Sequence, residues 1–139
     1  MAYTHYDNYL ETEVLAADPL KLVNMLYRAA IDSVGAARRH LAGGEIRERS
    51  RKIVKAWEIV HELRRSLDRE RGGEISRSLA DLYAYLQRRL IEANAQQKDA
   101  PLAEAERILT TLYEGWLAVS AAATRYRAPE TYQPVSCTY

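Results

Sequence analysis

The chain has 139 residues, with 20 Lys and Arg against 19 Asp and Glu for a net charge of +1. That length fits one domain with a core of its own, and the balanced charge supplies no field to draw in nucleic acid or an anionic membrane. A lone cysteine, Cys137, rules out an internal disulfide and a cysteine-based metal cage, which suits a reducing compartment.

No apolar run approaches the length needed to cross a bilayer. The N-terminus MAYTHYDNYL lacks the basic and apolar regions of a secretory signal. A cytoplasmic protein without stable membrane insertion is therefore expected. Residues 1–17 place Tyr3, Tyr6 and Tyr9 at steps of three, so that in a helix the three rings would share a face. Aromatic-rich segments tend to dock, and this one is read as an N-terminal capping segment.

The stretch from Asp18 to Leu41 organises the rest. Asp18 can cap free amides, and Pro19 suits the first helical position. Leu20, Val23, Tyr27, Ala30, Val34, Ala37 and Leu41 then follow the three-four alternation of one helical stripe. A second row, Leu22, Leu26, Ala29 and Ser33, lies beside it with Met25 at its edge. Together they span an apolar arc of roughly 200°. Lys21, Asn24, Arg28 and Asp32 fill the remaining face. Either this helix is central, with neighbours on two sides, or part of its apolar face is kept for a partner.

Gly43 and Gly44 stop the first helix near Ala42. A second helix is expected from about Glu45 to Arg69, with Ile53, Trp57, Val60, Leu63 and Leu67 inward. After Gly72 and Gly73 a third runs to about Gln96, with Ile75, Leu79, Leu82, Leu86, Leu90 and Ala93 inward and Tyr83 and Tyr85 at the flanks. A fourth starts at Asp99 to Pro101 and reaches about Tyr126, with Leu102, Ala105, Leu109, Leu112, Trp116, Val119 and Ala123 inward. Nothing alternates with period two long enough to make a strand. Long helices joined by short loops predict an all-α fold, an antiparallel up-down-up-down four-helix bundle over residues 18–126, with a loose C-terminal tail at 127–139 around Pro129 and Pro134.

The chemistry such a bundle could house is mostly missing. Di-iron bundles use two Glu-x-x-His motifs pointing inward. Here there is one, Glu58 to His61, set off the inward stripe, so no metal or other cofactor is expected. No phosphate-binding glycine loop occurs, and no histidine is spaced to activate Cys137 or a serine. The protein is read as not an enzyme. The basic stretch Arg47 to Lys55 and the arginines near the second loop are interspersed with acids. They read as locally paired, solvated faces and not as a nucleic-acid platform.

Taken in order, several motifs resemble the FliS family of flagellin-specific export chaperones. They are Ala2-Tyr3 with Tyr6; Asp18 to Tyr27; Ile53, Lys55-Ala56 and Glu62-Leu63; Ser66-Leu67-Asp68 before Gly72-Gly73-Glu74; Leu82 to Tyr85 with Arg89-Leu90 and Ala93-Asn94; and Leu102 leading to Leu109, Leu112 and Trp116. The resemblance implies a chaperone that binds the disordered C-terminal segment of flagellin, blocks premature polymerisation and supports delivery to the flagellar type III export gate. It implies partner-binding roles for Leu22, Met25, Leu26 and Ala29, for Ile108 and Tyr113 outside the main stripe of the fourth helix, and for Tyr3, Tyr6 and Tyr9 as a removable cover. The chain departs from the family pattern at Arg28-Ala29, where an acidic residue and Gly are usual, and at Trp57, where Gln is usual. Trp57 is assigned to packing. The alternatives are a client-free structural bundle whose extra apolar face forms a homodimer, and a metal-binding helical-bundle enzyme.

Overall fold

The computed structural model describes residues 19–138, and side chains within that span except at 69 and 123–138. Four helices follow one another: α1 (Pro19–Ala42), α2 (Ile46–Arg65), α3 (Arg69–Gln96) and α4 (Asp99–Thr138), with no strand among the described residues. The fold is an all-α helical bundle, as the periodicity predicts.

Pro19 opens α1 at the first helical position, where a missing N–H costs nothing. The helix ends with Gly43 N donating to Arg39 O and Glu45 N to His40 O, while Gly44 takes φ +71°, which glycine adopts without penalty. Asp68 caps α3 by accepting from Arg71 N at 3.0 Å.

The described residues fall into two compact units. One is Met25–Thr111; the other contains residues 19–24 and 112–138. In the larger unit, α2 and α3 pack directly against each other. Arg49 near the start of α2 meets Asn94 near the end of α3, and the Trp57 carbonyl accepts from Gln87, so these two helices run antiparallel. Tyr27 of α1 and Tyr83 of α3 share a hydroxyl hydrogen bond inside the core. Arg38 ties α1 to α4 through Asp99 and Glu106, and Glu104 ties α4 to α3 through Tyr85 and Arg89. The core is Tyr27, Ala30, Val34 and Ala37; Ile53, Ala56, Val60 and Leu63; Ala80, Tyr83, Leu86, Leu90 and Ala93; and Leu102, Ala105 and Leu109.

Several expectations are corrected. Helix α2 stops at Arg65, not Arg69: Ser66 bonds back to Leu63 O and Glu62 O, and Asp68 starts the next turn, leaving Leu67 in the connection. The buried seam of α3 includes Ser76, Ala80, Tyr83 and Gln87, while Ile75 is 73% exposed. Gly73, at φ +54° and ψ −127°, breaks the helix just before this seam. Trp57 is only half-buried. Val119, placed on the inward stripe of α4, is 51% exposed.

Helix α4 is assigned as far as Thr138, through the stretch expected as a tail from 127. No helix among the described residues is long and apolar enough to cross a membrane.

Candidate functional site

The α1 arc separates by burial. Tyr27, Ala30, Val34 and Ala37 are fully shielded, and Ser33 of the second row is buried with them. Leu22, Leu26 and Ala29 are only half-buried, and Met25 is 39% exposed. The seam therefore fills the core, while most of the second row keeps apolar area open.

Within the unit Met25–Thr111 lie Met25, Leu26 and Ala29 on α1 and the half-buried Ile108 on α4. The other unit holds Leu22 and the half-buried Tyr113, and it has further apolar surface that the seam reading missed. Leu117 and Val119 of α4 are 43% and 51% exposed, with Leu112 and Trp116 half-buried beside them in the sequence. In the same unit Asn24, expected on the polar face, donates from Nδ2 to Ser120 Oγ at 3.0 Å, and its Oδ1 is buried without a donor among the described residues. Tyr3, Tyr6 and Tyr9 lie outside the described residues.

The polar links hold the helices at fixed register. Arg38 binds Asp99 through two nitrogens at 2.8 and 2.9 Å and Glu106 at 2.6 Å. Hydrogen bonds with Asp99 first, and then with Glu106, push the guanidinium pKa above its ordinary value. Glu104 accepts from the Tyr85 hydroxyl at 2.8 and 2.9 Å and from Arg89 Nε at 2.6 Å. Those bonds, led by Tyr85, hold its carboxyl below the usual glutamate range.

A second apolar feature was not visible in the sequence. Between α2 and α3 opens a groove of about 460 Å³ lined by Ile53, Val54, Trp57, Glu58, Ile91, Asn94 and Ala95. The Trp57 and His61 rings stack at 5.3 Å, nearly parallel. Glu58 and His61 are both exposed, as their position off the inward stripe predicts. Among the described residues no three His, Cys, Asp or Glu side chains come together in a way that could hold a metal ion.

The arrangement leaves apolar helix faces open on α1 and α4. Residues 2–123 match the family described as flagellar protein FliS. The flagellar secretion chaperone FliS of Salmonella typhimurium is 34% identical over 116 residues, 83% of this chain and 86% of that protein. Flagellar secretion chaperone FliSB of Pseudomonas aeruginosa is 34% identical over 111 residues, covering 80% of this chain and 88% of its own. FliS of Bacillus subtilis is 30% identical over 111 residues, with 80% and 82% covered. With nearly the whole chain matched at this level of identity, the protein belongs to the FliS family of flagellar proteins.

Proposed function

We propose that this protein is a flagellar secretion chaperone that binds the disordered C-terminal segment of flagellin in the cytoplasm. By covering that segment it prevents premature polymerisation and keeps the subunit ready for the export apparatus. No reaction is assigned to it. The observation that carries this reading is the family match taken together with the apolar surface left open on α1 and distal α4. A client whose apolar helix faces have yet to find neighbours in a filament needs such surfaces, and a helix can lie on them through anchors at i, i+3, i+4 and i+7.

In this reading Leu22, Met25, Leu26 and Ala29, with Ile108 and Tyr113, contact the client, and Leu117 and Val119 extend the contact along α4. The tyrosines at 3, 6 and 9 act as a cover that the client displaces. Calorimetric titration with a peptide of the flagellin C-terminus tests the proposal; saturable one-to-one binding with a negative heat-capacity change supports it, because that sign marks apolar burial. Deleting residues 1–10 tests the cover, which predicts altered client affinity or altered solubility of the free monomer.

A further inference from the structure

The groove is lined by α2 and α3 alone, whereas the residues assigned to the client are on α1 and α4. Val54 and Ile91 on its walls are 51% and 57% exposed. Ile46, in the first turn of α2, is 57% exposed. Val54 and Ile91 thus remain in water on the two walls, beside a floor formed by Ile53 and Trp57.

Trp57 adds a second observation: its Nε1–H is buried and has no acceptor among the described residues. A buried donor left unpaired costs about 1–3 kcal/mol, so stability alone would favour an apolar side chain there. The exposed imidazole of His61 is stacked on the indole and could move aside to let it turn.

The charges around the groove are the third. Arg47 and Arg51 are exposed and one helical turn apart on α2, N-terminal to the groove-lining Val54 and Glu58; they form no ion pair among the described residues, and neither do Lys52 and Lys55. The local pairing expected from the interspersed acids is therefore not formed on this stretch. Arg47 sits in the first turn of α2, where the helix dipole is positive, so it opposes helix stability. Arg49 differs, being buried and committed to Asn94 and Gln97. Glu58 lies at the groove's other end. Concave apolar floor, cations at one end and a carboxylate at the other fit a polarised helix better than the uniformly anionic surface of a nucleic acid or a membrane.

We propose that the α2–α3 groove docks an acidic amphipathic helix of a second protein, at a surface separate from the client's. The partner's apolar stripe lies over Val54, Trp57 and Ile91, and carboxylates at one end reach Arg47 and Arg51. The test uses two synthetic peptides with the same leucine stripe, one carrying glutamate and the other lysine at the outer positions. Each is titrated into the full chain bearing Trp116→Tyr, which leaves Trp57 as the sole indole.

The glutamate peptide is expected to give a saturable change in Trp57 emission and to bind about tenfold more tightly than the lysine peptide at low salt. Arg47→Glu with Arg51→Glu abolishes that preference. Ile91→Asp abolishes binding while leaving helix content, and the titration with the flagellin peptide, unchanged. Equal affinity for the two peptides, or binding that survives Ile91→Asp, overturns the proposal. So does a Trp57 response to duplex DNA or phosphatidylserine vesicles but not to the glutamate peptide, or self-association of the free chain that Ile91→Asp removes. Failure of the flagellin titration alone would strike the client reading and leave this one standing.

Discussion

Arg49→Met tests how a buried charge fastens the end of this bundle. The guanidinium is 5% exposed and holds the C-terminal turn of α3: Nε and Nη2 donate to Asn94 Oδ1 at 3.3 and 3.2 Å, Nη2 to Asn94 O at 3.5 Å, and Nη1 to Gln97 Oε1 at 3.4 Å. All four are long, so each belongs near the lower end of the ~0.5–1.5 kcal/mol typical of a hydrogen bond. The cation beside the negative end of α3 adds ~0.3–1 kcal/mol. Asn94 Oδ1 keeps the Ser50 hydroxyl at 3.0 Å, so the substitution orphans no acceptor there, and methionine retains the apolar stem. The expected loss is about 2 kcal/mol, or roughly 6–10 °C in Tm for a chain of this size. Urea unfolding followed by far-UV circular dichroism measures it, and a cycle with Asn94→Ala should return a coupling of about 1 kcal/mol. A loss below about 0.5 kcal/mol, or strict additivity with Asn94→Ala, would refute the view that Arg49 fastens α2 to α3.

The backbone, the acid limb and the client surface supply further tests. Gly73→Ala forces a Cβ onto φ +54°, ψ −127° and should cost about 1–3 kcal/mol although nothing lies within 4 Å of the added atom; an unchanged urea midpoint would mean the α3 kink can relax. Glu104 has its folded-state pKa lowered, so its contribution is fully present above the ordinary glutamate range and is lost as pH falls through the folded value. Glu104→Gln should therefore flatten the stability profile on that acid side, and an unaltered limb would contradict the assignment. Met25→Asp, at a 39% exposed site, should change stability by no more than ~0.5 kcal/mol while weakening flagellin-peptide binding about tenfold; calorimetry checks the second and thermal melting the first.

The sequence carried the helices because their signals are local. Pro19, the paired glycines at 43 and 44, and the alternation through Tyr27, Ala30, Val34 and Ala37 depend only on neighbours along the chain. The α3 seam was misjudged because apolarity ranks Ile75 above Ser76 and Gln87. Burial instead follows polar partners: Ser76 Oγ donates to Asp68 O, and Gln87 donates to the Trp57 carbonyl and accepts from Arg64. The same reasoning hid Arg49, whose partners lie 45 residues or more away in the chain. Of the candidate surface, the open row on α1 was legible as surplus apolar width. Exposure at Leu117 and Val119 was not, since periodicity alone does not tell which positions of a helix are covered. The α2–α3 groove depends on which residues of two helices face each other, and single-helix patterning does not specify that.

The central claim is that the open apolar faces of α1 and α4 exist to hold the C-terminal segment of flagellin. Titration calorimetry with that peptide at several temperatures tests it most directly. The account predicts one-to-one binding with a negative heat-capacity change, weakened together by Leu22→Ala and Leu26→Ala. No binding at micromolar concentration, or binding indifferent to both substitutions, would contradict it.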